Sequence, residues 1–184
     1  MDLSALAIGI LVLAALGLVI AATLMTRAYL KFRGQRVIVC PDNESPAAVD
    51  VDAARAAMSA LGGGHHLRLS DCSRWPEKRS CGQECLAQIE AAPEECLVRT
   101  RVARWYEEKA CVFCGRIFQA IPWEHHRPAL LDANDKLVEW QSVRAEDLAD
   151  ILATHRPVCW DCLITETVRR RRPDLITYRP GNPS

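Results

Sequence analysis

The sequence has no excess of either charge: 23 Lys plus Arg balance 23 Asp plus Glu, so net charge gives no signal for nucleic acid as the main partner. It lacks a glycine-rich phosphate loop, a nucleophile elbow and an H-E-x-x-H helix, and with them the usual sequence carriers of phosphate-binding, acyl-transfer and zincin chemistry. Internal repeats and long low-complexity tracts are missing too, so no solenoid is indicated. None of the cysteine spacings reproduces a ferredoxin run.

Charge is also missing from one long stretch. Between Leu3 and Thr26 there is no charged residue. As a helix this segment is about 36 Å long, enough to cross a hydrocarbon core of about 30 Å. A secretory signal would have a shorter apolar core preceded by positive charge, whereas here Asp2 precedes it. The basic residues Arg27, Lys31, Arg33 and Arg36 lie on the C-terminal flank. The positive-inside rule therefore predicts an uncleaved single-pass anchor in the inner (plasma) membrane, N-terminus outside and the remaining chain cytoplasmic.

What the chain has in abundance is cysteine, nine in 184 residues. In a cytoplasmic chain these point to metal rather than disulfides. Two short pairs stand out, C-V-F-C-G-R at Cys111 and Cys114 and C-W-D-C at Cys159 and Cys162, separated by 44 residues. Two residues between cysteines let a tight turn aim both thiolates at one ion, and two such pairs complete the tetrahedral site of structural zinc. Gly115 supplies the residue that accepts positive φ in such a knuckle. Ile117 to Trp140 contains two apolar, β-prone runs about the turn Asp132 to Asp135, and a helix follows Cys162. Knuckle, hairpin and a helix whose first turn carries the last two ligands resemble a treble-clef zinc finger, which implies a fold and no activity.

Upstream, Val37 to Cys40 and Ala47 to Val51 read as paired strands about a proline-bounded turn. Asp52 to Leu61 reads as a helix capped by Asp52 and stopped by Gly62, Gly63 and Gly64. His65 and His66 in that exit read as solvated rather than as ligands. Leu67 to Leu69 reads as a further strand, and Cys81 and Cys85 as one face of a starting helix. Pro93 is expected to open another helix, with Glu94 and Glu95 in its first turn and Val98, Val102, Trp105 and Tyr106 as its apolar stripe. Cys40, Cys72, Cys81 and Cys85 are candidate ligands of a second metal, with Cys96 able to replace one of them. The fold expected is α+β, divided into an anchor and basic segment (1–36), a cysteine-rich region (37–104) and a zinc module (105–184).

The runs C-S-R-W-P-E, C-G-Q-E-C-L-A-Q-I-E, P-E-E-C-L-V, W-Y-E-E-K-A-C-V-F-C-G and H-R-P-V-C-W-D-C resemble an uncharacterised group of bacterial membrane-anchored, cysteine-rich proteins. The resemblance implies an inner-membrane location and recurrent cysteine sites, and brings no activity. Three functions compete. The first is a non-enzymatic interaction or adaptor module held by zinc, with a protein partner. A second is an electron carrier with an iron–sulfur cluster at the upstream cysteines, whose thiolates serve either metal. The third is an HNH-like nuclease relic, suggested by Trp123-Glu124-His125-His126-Arg127-Pro128 between the cysteine pairs, although Leu163 stands where many HNH nucleases place a metal-binding histidine. In the preferred reading His125, His126 and His155 do not join the four-thiolate ion. Arg169 to Arg172 are either a solvated helix end or, with the juxtamembrane basic residues, a contact for anionic lipid.

Overall fold

The computed structural model describes residues 3–64, 66–75, 77–78, 80–123 and 125–173. His65 and Glu124 therefore lie outside the described residues. The architecture is α+β, in two compact units that divide between Val98 and Arg99.

The first unit begins with α1 (Leu3–Phe32), 30 residues and thus about 45 Å long. The large apolar side chains from Leu6 to Leu24 all face outwards, Leu18 being 72% exposed, so most of the helix buries nothing within the protein. Its last turns behave differently. Ala28 and Phe32 are buried, and this end of α1 packs on α2 (Ala53–Ser59). Arg36 is completely buried just beyond it, and its guanidinium donates to the carbonyls of Phe32, Lys31 and Gly34 at 2.6, 2.6 and 2.7 Å. Of the four basic residues on the C-terminal flank, Arg36 is therefore withdrawn from solvent and caps the helix from inside.

A three-stranded antiparallel sheet follows, β1 (Arg36–Val39), β2 (Pro46–Val51) and β3 (Leu69–Cys72), with β2 in the centre. Alternation places Ala47, Val49 and Val51 in one core with Phe32, Ile38, Ala56 and Leu69. The Asp52 side chain accepts from the Arg55 amide at 2.9 Å to start α2, and Gly63 at φ +79° ends the 3-10 turn that follows it.

Three expected boundaries move. The strand expected at Leu67 to Leu69 starts only at Leu69, because the register shifts after Asp50 and the carbonyl of Arg68 is taken instead by the Asp52 amide at 2.9 Å. Cys81 and Cys85 do not share a helix face: α3 spans Leu86–Ala91, Cys85 is its N-cap, and Gln83 at φ +59° breaks the turn between them. No helix opens at Pro93. The amide of Val37 donates to the Cys96 carbonyl at 2.8 Å and that of Val98 to the Gln35 carbonyl at 3.1 Å, so residues 96–98 run beside β1. The helix α4 (Val98–Tyr106) can start only after that pairing.

The second unit contains β4 (Ala129–Leu131) and β5 (Leu137–Val138) about the expected turn, where Asp132 Oδ1 accepts from the amides of Asn134 and Lys136, both at 2.8 Å. After α5 (Leu148–Thr154), the strand β6 (Arg156–Val158) pairs with the other edge of β4. The chain then enters α6 (Trp160–Arg171). Ala129, Leu131, Val158 and Leu163 form a small core. Tyr106 is also fully buried, its hydroxyl donating to the Ala129 carbonyl at 2.7 Å and accepting from Trp140 Nε1 at 3.2 Å. Tyr106→Phe keeps the ring and removes both bonds, so it is expected to destabilise the unit by about 1–3 kcal/mol. A urea midpoint equal to that of the parent chain would show that the hydroxyl contributes nothing.

Candidate metal centre

Each pair of the C-terminal quartet is placed by a different backbone device. Cys111 and Cys114 sit in a tight turn: the Gly115 amide donates to the Cys111 carbonyl at 2.9 Å, and the Cys111 amide to the Arg116 carbonyl at 2.9 Å. Gly115 takes φ +69°, where a side chain would be strained. The Val112 amide donates to the Pro157 carbonyl at 3.0 Å, tying this knuckle to β6. Since β6 runs directly into α6, Cys159 becomes the N-cap of that helix and Cys162 falls in its first turn.

The four ligand sulfurs consequently all lie within 4.8 Å of one another, and this group can bind a metal ion. Cys114 Sγ and Cys159 Sγ are 3.7 Å apart. A tetrahedron with metal–sulfur bonds of about 2.3 Å has edges of about 3.8 Å, so this spacing fits a four-thiolate ion. Among the described residues no histidine or carboxylate joins the group. His155 Nδ1 lies 2.9 Å from Thr154 Oγ1, and the His126 ring stands edge-on to Trp160. Leu163 is buried in the core.

Electrostatics agree with the geometry. Burial by itself would push the Cys111 thiol up, but amides of Cys159, Cys114 and Phe113 directed at its sulfur outweigh this and bring it down to about 7. The Cys159 amide lies 3.4 Å from Cys111 Sγ. Cys162 is pushed far up, by burial first and then by neighbouring Cys159, Cys114 and Cys111. Four thiolates this close repel one another, and a bound dication relieves that repulsion. The Cys162 amide, at the positive end of α6, also bonds the Cys159 sulfur.

Upstream, the arrangement is looser. Cys40, Cys72, Cys81 and Cys85 all line one cavity of about 370 Å³, but no three of their sulfurs approach as closely as the C-terminal four. Burial, reinforced by Cys81, Cys72 and Cys40, pushes the Cys85 thiol up to about 11. All nine cysteines are thiols.

Two features escaped the sequence reading. A second cavity, of about 440 Å³, adjoins the metal centre and is lined by Ile117, Phe118, Ile121, Pro122, His126 and Trp160 among others. Ile117 in its lining is 63% exposed, and Phe113 in the knuckle is exposed as well. Second, the basic run at the end of α6 is partly engaged: Arg169 donates to Glu166 at 2.6 Å and Arg170 to the Asp135 carbonyl at 2.7 Å. Compared with known proteins, the chain matches no family model, no curated protein and no solved structure, so no family is identified.

Proposed function

We propose that the chain is a single-pass membrane protein whose cytoplasmic portion holds a structural zinc ion on Cys111, Cys114, Cys159 and Cys162 and serves as an interaction module for a protein partner. The observation that carries this reading is the convergence of the four sulfurs at tetrahedral spacing. A closed set of four thiolates keeps no open position for substrate, so zinc there organises structure. The exposed apolar side chains of Phe113, in that knuckle, and of Ile117, in the cavity lining, offer the partner an anchoring surface. Anchoring is supported by α1, which is long and apolar enough to cross a bilayer.

Metal analysis of the full chain in detergent tests the zinc assignment. Zinc that disappears with Cys111→Ser and survives His126→Ala is expected; zinc that follows the histidine would refute the four-thiolate site. Orientation has its own test. A reporter active only in the cytoplasm and fused after the last residue is expected to work, while one that requires export stays silent. The reverse pattern would place the cysteines in an oxidising space and remove the basis for thiolate-bound metal.

A further inference from the structure

Four of the five upstream cysteines converge although they are spread over 46 positions of sequence, from Cys40 to Cys85. Cys40 follows β1, Cys72 ends β3, Cys81 lies in the turn before α3, and Cys85 caps α3; all four line the 370 Å³ cavity. Cys96 does not. Its sulfur lies 3.8 Å from the Gln88 carbonyl, and Cys96 is absent from the cavity lining. We propose that Cys40, Cys72, Cys81 and Cys85 form a second metal centre, bound by thiolates and independent of the C-terminal one, with Cys96 as a core residue.

Three observations besides the convergence support a ligand there. First, the backbone is shaped to serve a sulfur: Gln83 takes φ +59°, an uncommon conformation for a residue with a side chain, and its amide lies 3.4 Å from Cys81 Sγ. Bonds from backbone amides to cysteine sulfur stabilise thiolate over thiol. Second, cations line the cavity, alongside as many carboxylates. Four thiolates around a dication leave a net charge of about −2, and Arg74 and Lys78 line the cavity together with the carboxylates of Asp42 and Glu84. Lys78 pairs with Asp42, whose carboxylate takes up part of that positive charge. Third, the buried Nε of Arg74 has no hydrogen-bond partner within the protein, whereas its Nη1 donates to Ser45 Oγ at 2.8 Å. A buried guanidinium N–H without an acceptor is costly, and a thiolate drawn inward by a bound metal would supply one.

The chemical class follows from the donors. Four sulfurs select soft metal, either a zinc ion that draws the loops inward or an iron–sulfur cluster whose irons bind one cysteine each and tolerate wider sulfur spacing. Both are the same thiolate chemistry, and composition separates them.

The test uses the full chain in detergent, purified without oxygen, with zinc, iron and acid-labile sulfide measured together with the visible spectrum. Expected is a centre beyond the C-terminal ion: either about two zinc per chain and no colour, or about one zinc with iron, sulfide and visible absorption. Cys72→Ser and Cys81→Ser should each remove that additional centre and leave the metal dependent on Cys111. Cys96→Ser should leave both in place. Because a serine variant can fail to fold, Cys111→Ser supplies a second reading with all upstream thiols intact. Loaded with cobalt, or with iron and sulfide under reducing conditions, it is expected to show thiolate-to-metal absorption. One metal per chain that depends only on Cys111, together with a featureless loaded Cys111→Ser protein, overturns the proposal. Loss of the additional centre in Cys96→Ser overturns the exclusion of Cys96. Failure of the C-terminal zinc assignment alone would appear differently, as metal that depends on Cys72 and Cys81 but not on Cys111.

Discussion

Cys159→Ser is expected to lose the C-terminal metal and, with it, the attachment of α6 to the rest of its unit. Structural zinc in small modules has an apparent binding energy of roughly 10–16 kcal/mol, which is also folding energy because the site does not exist in the unfolded chain. The apolar cluster around the sheet is small. Ala129, Leu131, Val158 and Leu163 form it, with Leu137, Trp160 and Cys162 packed against them, and Leu163 is carried by the helix that starts at Cys159. Cys159 is also the junction of local hydrogen bonds: its carbonyl accepts from the Leu163 amide at 2.9 Å, and its amide faces Cys111 Sγ at 3.4 Å. With serine there, three sulfurs and an open position remain. Leu130 to Trp140, now covered by β6 and the start of α6 on one edge, should become sensitive to protease, and zinc content should fall. His125→Ala and His126→Ala should change neither readout. Should the histidine variants lose metal while Cys159→Ser keeps it, the structural ion gives way to a catalytic one near His125.

Much of this arrangement was legible in the sequence, and the reasons differ by element. The absence of charge from Leu3 to Thr26 suffices for α1, since a helix that long and apolar has few alternatives. Spacing within C-x-x-C is equally local: two residues and a following Gly115 dictate a knuckle whatever surrounds it. The strand pair β1 and β2 and the Asp52 cap rest on alternation and one short-range hydrogen bond. Where partners are distant in sequence, the local signal failed. The strand β6 reads Arg-Pro-Val, and proline argues against a strand; it is tolerated because β6 is an edge, with β4 its only neighbour in the sheet. Residues 93–97 have helix-like composition, but hydrogen bonds to Gln35 and Val37 hold the chain extended at their end. Cys81 and Cys85 are four apart, as on a helix, yet Gln83 in the left-handed region separates them. That the four upstream cysteines share a cavity while Cys96 faces elsewhere depends on packing around the sheet, which no spacing encodes.

Arg36→Met is expected to be the most damaging change outside the cysteines. The last carbonyls of any helix have no partner within it, and in α1 those of Lys31 and Phe32, with Gly34 beyond, are served by one guanidinium. Its planar fork reaches all three at 2.6 to 2.7 Å, and its positive charge sits at the negative end of the helix dipole. Burial draws the Arg36 pKa below its ordinary value, an effect that Glu94 partly counters. Methionine matches the apolar stem and fills similar space, so the loss is electrostatic rather than a cavity. Leaving buried acceptors unpaired costs about 1–3 kcal/mol each, and even with water reaching one of them the total is on the order of 3 kcal/mol. Arg36→Lys should fall between, since one ammonium cannot span three carbonyls in a fixed fork. The effect should be concentrated where α1 joins the sheet. Hydrogen exchange of the full chain in detergent should quicken at the amides of Arg33, Val37 and Val39, while residues near Cys111 and Cys159 remain as protected as before. Unchanged exchange at Arg33 and Val37 in Arg36→Met would mean that the packing of Ala28 and Phe32 on α2 secures the helix end unaided.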